Sequence, residues 1–190
     1  MNYLLRHSID DNTRKGGWSA APLTPEGQIL ALKTKSVINA LKIDKIICSD
    51  IVRTKETADL VNLDLKLPLF YEHSLRELNV GVASGMTYKE IDRLYPITEN
   101  TYLDMNFKYP GGETLGEFKK RVLDFYYNII CKCDNTLFVT HRNVISVICN
   151  EINGTTWNFN DKTSIPIGHC SLFEVDDKHI KRIHDKTATK

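Results

Sequence analysis

The sequence predicts an α/β protein with three layers, in which a mostly parallel central sheet lies between two layers of helices. The first observation is that short apolar runs end in polar residues and are followed by segments with helical spacing, as at residues 45–61 and 137–152. The second is that these strand-like and helix-like segments alternate, which is typical of a parallel sheet covered on both faces. A length of 190 residues with 42% hydrophobic side chains fits one domain over residues 1–190.

The first half of the chain contains two pairs of a strand and a helix. The first strand begins almost at Met1, and its helix begins where Thr24 provides a cap and Pro25 the first helical residue. The second strand lies at residues 45–49 and leads into a helix that extends to Val61. Both pairs have the order expected of a parallel sheet.

The middle of the chain contains a short helix and then a long one. Thr87 and Glu90 have the spacing of a capping box, and Pro96 ends the short helix. The long helix has apolar residues three and four positions apart, which predicts one buried face. This apolar stripe consists of Leu115, Phe118, Val122, Phe125 and Ile129.

The last third of the chain returns to the sheet. A strand at residues 136–140 is followed by a helix that extends to Ile152 and ends at Asn153 and Gly154. Two late strands, at residues 171–175 and 179–183, are expected at an edge of the sheet.

Arginine and histidine side chains lie where the predicted parallel strands end. Arg6 and His7 end the first strand, Arg53 follows the second, and His141 follows the strand at residues 136–140. Ligands of an open α/β sheet bind outside the carboxyl ends of its strands, so we expect these side chains to share one site. Arginine matches phosphate oxygens with a planar fork of donors, and a neutral imidazole is a nucleophile near neutral pH. The pattern therefore favours chemistry at phosphorus.

Six segments, in order along nearly the whole chain, resemble motifs of the histidine phosphatase superfamily, the group of phosphoglycerate mutases and related phosphatases, within its phosphoglycerate mutase-like branch 1. The opening resembles the family's Arg-His-Gly motif, with Ser8 in the place of glycine, and Arg142 likewise replaces the glycine after the second histidine. The matching segments are residues 6–8, 17–27, 49–57, 75–81, 110–114 and 140–143.

The resemblance implies a phosphoglycerate mutase-like fold and a set of site residues. The catalytic residues that it implies are Arg6, His7, Arg53, Glu77 and His141. The resemblance also implies that Ser8, Asn12, Arg14 and Asn143 bind the substrate. Arg142 is expected to bind the substrate as well.

We expect a phosphohistidine to form at His7. Arg6, Arg53 and a protonated His141 would then stabilise the negative charge on the phosphoryl oxygens. Glu77 is expected to protonate the leaving group and then to activate water, with Glu72 and Glu113 as the alternatives nearby in sequence. No metal and no cofactor are required in this scheme.

The composition limits the classes of partner and the location that we expect for this protein. A formal net charge of +1 argues against nucleic acid and anionic membranes, so we expect a small phosphorylated substrate, while a homodimer stays open. No apolar run reaches the length of a membrane span, and we expect no signal peptide, because the first strand begins almost at Met1. Five cysteines without a CxxC pair fit reduced thiols in the cytoplasm.

Several functions fit this pattern. A phosphomonoesterase comes first, a mutase that moves phosphate within one substrate comes second, and a phospho-ligand-binding module altered by Ser8 and Arg142 comes third. A metal-dependent hydrolase on His7, His141 and His169 is disfavoured, because no HxH or HExxH spacing accompanies them. Aromatic residues that could select the substrate are Trp18, Phe107 and Tyr109, and the histidines expected to be structural or exposed are His73, His169, His179 and His184.

Overall fold

The computed structural model describes residues 1–158 and 166–185. Six strands in this part of the chain form one sheet. They are β1 (Asn2–Arg6), β2 (Lys45–Cys48), β3 (Leu69–Tyr71), β4 (Thr136–Thr140), β5 (Leu172–Val175) and β6 (Ile180–His184). The order across the sheet is β3-β2-β4-β1-β5-β6.

Five α-helices accompany the strands. They are α1 (Pro25–Asn39), α2 (Val52–Val61), α3 (Tyr88–Leu94), α4 (Leu115–Asn128) and α5 (Arg142–Ile152). The predicted caps are present, since Thr24 accepts a hydrogen bond from the Gly27 amide and Thr87 forms a capping box with Glu90. None of these helices combines the length and apolar character that a membrane span needs, as far as residues 1–158 and 166–185 are concerned.

The sheet is mostly parallel, as predicted. Strands β3, β2, β4 and β1 run in the same direction, whereas β5 is antiparallel to β1 and β6 is antiparallel to β5. The carboxyl ends of β1, β2 and β4 therefore meet at one edge of the sheet. This arrangement confirms the predicted class and the edge position of the last strand.

Side chains alternate between the two faces of the sheet and form two cores. Leu4 and Phe138 point to the face that packs against α4 and α5, in a cluster with Phe118, Phe125 and Ile145. Their neighbours in the same strands face α1 and α2, where they pack with Ile38, Ala58 and Val61. Helices thus cover both faces, which is the three-layer arrangement that the sequence predicts.

Two details differ from the sequence analysis. Strand β3 was not predicted, because it has only three residues, and Phe70 and Tyr71 in it are exposed. The predicted stripe of α4 was one position too long: the helix ends at Asn128, Ile129 is exposed, and Ile130 enters the core instead. A 3₁₀ turn at Ile130–Lys132 causes this change of phase.

Candidate active site

The site lies at the edge where three parallel strands end. His7 directly follows β1, Ser49 follows β2 and His141 follows β4. The backbone continues the strand pairing for one residue, with the His7 amide donating to Thr140 O at 2.9 Å and the Ser49 amide donating to Val139 O at 2.9 Å. The convergence predicted from the strand ends is therefore present.

The His7 imidazole is buried and held in one orientation. Its Nδ1 lies 2.7 Å from the carbonyl oxygen of Ser8, an acceptor, so Nδ1 carries the proton and Nε2 carries the lone pair. Burial lowers the pKa of His7 well below its usual value, and the charges of Arg53 and Arg6 lower it further. Near pH 7 the imidazole is neutral, which is the form that can attack phosphorus.

Arg53 connects the two histidines. Its guanidinium is buried, with Nε donating to His7 Nε2 at 3.2 Å and Nη2 donating to His141 Nδ1 at 3.2 Å. Nη2 also donates to Gly17 O at 2.8 Å, and Nε lies 3.5 Å from a carboxylate oxygen of Asp10. Burial lowers the pKa of Arg53, but arginine remains a cation near pH 7.

His141 is buried between Ser49 and Arg53, and its imidazole is in the neutral form in this structure. Because Nδ1 accepts from Arg53, Nε2 carries the proton and donates to Ser49 Oγ at 2.9 Å. Burial lowers the pKa of His141 well below its usual value, and the charges of Arg53 and Arg6 act in the same direction. In this form His141 orients Arg53, and its protonation beside a phosphoryl group stays a prediction.

Arg6 is the second buried cation of the site. Its Nη1 donates to Ile167 O at 2.9 Å, and its Nη2 lies 3.3 Å from His169 Nε2. Burial lowers the pKa of Arg6 to about 10, so the guanidinium is still charged near pH 7. His169 was expected to be structural or exposed. It lines the cavity instead, with its ring 5.4 Å from that of His7.

Two donors on these arginines are buried without an acceptor in the described part of the chain. They are Nε of Arg6 and Nη1 of Arg53. A buried donor without a partner costs roughly 1–3 kcal/mol, and such groups in native structures call for an explanation. Both atoms belong to guanidinium groups beside His7, where an oxyanion would supply acceptors.

Glu77 is held at the cavity by backbone contacts. Oε1 of its carboxylate accepts from the Leu78 amide at 2.8 Å, and Oε2 accepts from the Asn143 amide at 3.3 Å. Trp18 Nε1 donates to the carbonyl oxygen of Glu77 at 2.8 Å, and Arg121 Nη2 lies 3.4 Å from the same oxygen. The backbone of Glu77 is thus held in place together with its carboxylate.

The alternative glutamates have structural roles. Glu113 forms an ion pair with Arg121 at 2.6 Å and accepts from the Asn79 amide at 2.8 Å. Glu72 caps a short 3₁₀ helix by accepting from the Ser74 amide. Neither residue lines the cavity, so Glu77 is the candidate proton donor that the geometry favours.

The cavity has a volume of about 320 Å³, which suits a small ligand. Most of the predicted site residues line it. The lining consists of Arg6, His7, Asp10, Asp11, Asn12, Arg14, Lys15, Gly16, Gly17, Arg53, Glu77, Leu78, Val80, Tyr88, Arg142, Asn143 and His169. The aromatic residues suggested for selectivity do not line it. Phe107 and Tyr109 pack in the core, and Trp18 donates a hydrogen bond to the backbone carbonyl oxygen of Glu77.

The expected role of Ser8 in substrate binding is corrected, because its side chain faces away from the cavity. The hydroxyl donates to Gly27 O at 2.6 Å at the start of α1, and the residue is completely buried. Its contribution is the carbonyl that orients His7. Neither Ser8 nor Arg142 has a positive φ, so neither position needs the backbone freedom of the glycine that the family usually has there.

Besides His169, the sequence analysis did not assign several lining residues to the site, among them Asp10, Lys15 and Tyr88. The only sequence signal for the first two was their position in the charged loop after β1. Burial raises the pKa of Asp10, while the charge of Arg53 opposes that rise.

One group of side chains has the donor types of a metal site. His7, Asp10 and His169 each offer a ligand atom, and these atoms lie within 4.8 Å of one another. Arg53 contacts both His7 and Asp10, so a divalent ion there would sit beside a guanidinium charge. The arrangement therefore fits an anion better than a second cation.

The model of the histidine phosphatase superfamily, branch 1, matches residues 2–185. The chain belongs to this superfamily. The expected enzyme class, a histidine phosphatase, is therefore confirmed.

Among curated relatives, this histidine phosphatase is 26% identical over 189 residues to a probable phosphoglycerate mutase, GpmB, of Salmonella choleraesuis, covering 92% of the chain and 83% of the relative. Among solved structures, YhfR of Bacillus stearothermophilus is 24% identical with a TM-score of 0.80, over 96% and 94% of the two chains. The α-ribazole phosphatase of Shigella flexneri is 19% identical with a TM-score of 0.76, over 95% and 93%. These two structures share its fold.

Proposed function

We propose that this histidine phosphatase is a phosphomonoesterase, which hydrolyses a small phosphorylated metabolite through a phosphohistidine on His7 and needs no metal. The observation that carries the proposal is the neutral His7 imidazole, whose Nε2 lies beside two buried guanidinium groups with unpartnered donors. This arrangement supports a nucleophile and an oxyanion site at the same point.

In the first step, Nε2 of His7 attacks phosphorus, and the bond from phosphorus to the ester oxygen breaks. Arg6 and Arg53 donate to the equatorial oxygens, which carry the charge of the transition state. Glu77 gives its proton to the departing alkoxide. The arrival of a phosphate dianion also favours protonation of His141, which would then add a charge that it lacks in this structure.

In the second step, water attacks the phosphohistidine. Glu77, now a carboxylate, accepts a proton from that water, the bond from Nε2 to phosphorus breaks, and inorganic phosphate leaves. His7 returns to its neutral form because the hydrogen bond from Nδ1 to Ser8 O keeps the tautomer fixed. The arginines supply the positive charge that a metal ion supplies in other phosphatases.

A mutase that returns the phosphate to its substrate is the second candidate. The relative from Salmonella choleraesuis, which bears the description probable phosphoglycerate mutase, favours it. The two candidates share the first step and differ in the acceptor of the phosphoryl group. Release of inorganic phosphate supports the phosphatase, and an isomerised phosphoester without release supports the mutase.

The decisive experiment traps the phosphoenzyme. Rapid quenching during turnover should give a phosphoprotein that is labile in acid and stable in alkali, and His7→Ala should abolish it. His179→Ala, which changes an exposed histidine in the turn before β6, is the matched control and should keep it. Phosphate on serine or aspartate would contradict the mechanism, as would activity lost on exhaustive chelation and restored by zinc or magnesium.

A further inference from the structure

Arg142 differs from the other arginines that line the cavity. It is the first residue of α5, directly after His141, and its side chain is exposed to the cavity. Its side chain forms no hydrogen bond or ion pair within residues 1–158 and 166–185. Within these residues, no contact of this kind gives its side chain a structural role.

The other three arginines are all held by the protein. Arg53 contacts both catalytic histidines and Asp10. Arg6 donates to a backbone carbonyl, and Arg14 donates to Gly85 O at 2.9 Å while facing Asp11 at 3.5 Å. As far as the described residues go, Arg142 is thus the arginine of this cavity whose whole fork is available to a ligand.

The electrostatic surroundings of Arg142 favour an anion. A cation in the first turn of a helix faces the positive end of the helix dipole, which is unfavourable without a compensating charge. The charges of Arg6 and Lys15 lie near enough to repel that of Arg142, since the positive charge of Arg142 contributes to lowering the pKa of each. Glu77 forms no ion pair with Arg142 in the described part of the chain, and its carboxylate accepts from two backbone amides instead.

The rest of the cavity fits a polar ligand that is larger than one phosphate group. Its apolar lining is limited to Leu78, Val80 and the ring of Tyr88, so an aromatic or alkyl leaving group gains little there. Once the scissile phosphate lies against His7, the exposed guanidinium of Arg142 faces another part of the same molecule.

We propose that Arg142, with Lys15 in the same cavity wall, binds a second anionic group of the substrate. The substrate is then a small phosphomonoester that also carries a carboxylate or a second phosphate. This inference rests on the proposed function, because it specifies the substrate of the same site.

The test uses matched pairs of substrates with the purified full-length protein. For a carboxylate, 3-phosphoglycerate is compared with glycerol 3-phosphate; for a second phosphate, fructose 1,6-bisphosphate is compared with fructose 6-phosphate. We expect kcat/KM to favour the more anionic member of at least one pair by about tenfold or more, as charge-assisted hydrogen bonds produce. The pair that shows the preference identifies the group.

Variants then assign the preference to Arg142. Arg142→Gln should bring the ratio within the preferred pair towards one, mainly through a higher KM for the anionic member, and Arg142→Lys should keep part of the preference. Arg93→Gln is the matched control, because Arg93 is exposed in the last turn of α3 and does not line the cavity. Salt should weaken the preference of the unmodified protein, because screening acts on exposed charges.

The outcomes separate this inference from the proposed function. If the protein hydrolyses phosphomonoesters but prefers the anionic member of neither pair, or if Arg142→Gln keeps the full preference, the second anionic group is wrong and the phosphatase stands. If no phosphomonoester is hydrolysed and no phosphohistidine forms, the proposed function itself fails. Should Arg142→Gln fold poorly, the salt dependence and Arg142→Lys decide the question.

Discussion

Glu77 is the only glutamate that lines the cavity in the described part of the chain. Its two carboxylate oxygens contact backbone amides on either side, one from its own loop and one from the start of α5. A proton donor must be held within reach of the leaving oxygen, and geometry comes before pKa in choosing it. These contacts give Glu77 a fixed position between the two histidine motifs.

Glu77→Gln should separate acid catalysis from binding. Loss of a general acid slows reactions with poor leaving groups by roughly 10²–10⁴-fold, so hydrolysis of an alkyl phosphate should fall by that order. The pre-steady-state burst with p-nitrophenyl phosphate should fall much less, because its leaving group departs without protonation. Stopped-flow measurement of both substrates tests this, with Glu26→Gln, an exposed glutamate of α1, as the control.

An equal loss of burst rate on both substrates would show that Glu77 binds phosphate or holds the fold. The proton donor would then have to be another lining residue. Asp10 is the candidate in that case, because it lines the cavity and burial raises the pKa of its carboxyl more than the charge of Arg53 lowers it.

The site residues that the sequence analysis placed together, and that the structure brings together, share a clear signal. His7 and His141 follow apolar strands, and Arg53 lies in the first turn of the helix after a third strand, so strand ends alone placed all three together. Ser8 shows the limit of this reasoning, because a motif gives a position along the chain but not the direction of a side chain. The Ser8 hydroxyl turned towards Gly27 because a buried hydroxyl must find an acceptor.

At the scale of elements, the close contact between α1 and the loop after β1 holds His7 in place. Gly27 lies in the first turn of α1, where an added Cβ would come within 2.1 Å of the Ile9 carbonyl oxygen. The same turn supplies the acceptor for Ser8, whose own carbonyl fixes the His7 tautomer. The position of α1 is thus linked to the orientation of the nucleophile.

Gly27→Ala should therefore affect both stability and activity. The new methyl group cannot be accommodated by a side-chain rotation, since it meets backbone, and overpacking of this kind costs about 1–3 kcal/mol or more. We expect a lower free energy of unfolding in urea and a lower kcat in the residual folded protein. Gln28→Ala, at the exposed neighbouring position of α1, should leave both nearly unchanged. Unaltered stability in Gly27→Ala would show that α1 can move away freely.

Elements with strong local signals were predicted well, and those that depend on tertiary contacts were not. Thr24 and the capping box of Thr87 and Glu90 act within one turn, so the sequence alone reveals them. Strand β3 exists because it pairs with β2, and its three residues carry no pattern of their own. The cavity position of His169 likewise depends on β5 pairing with β1, which brings a late loop beside Arg6.

At the scale of the whole molecule, the fold buries two neutral histidines beside two arginine charges. The unfolded chain exposes both imidazoles to water, where a histidine titrates near pH 6.5. In the folded protein the pKa values of His7 and His141 are well below that, mainly because of burial. Between these limits the unfolded state binds more protons than the folded state, so the site affects the stability of the entire protein.

The sign of the pH dependence follows from this difference. Because both folded pKa values are depressed, the stabilisation is complete above about pH 6.5 and is lost as the pH falls towards the folded values. Each histidine contributes a slope of up to about 1.4 kcal/mol per pH unit in the free energy of unfolding.

His141→Gln removes one of the two histidines. Between about pH 6 and pH 5, its free energy of unfolding should therefore change with pH by about that much less per unit than that of the unmodified protein. Urea unfolding at pH 8, 6 and 5 measures this. The difference at pH 8 reports only the lost packing, and the titration of carboxyl groups is common to both proteins and cancels. Parallel plots for the two proteins would show that His141 becomes protonated in the folded state as easily as in the unfolded chain.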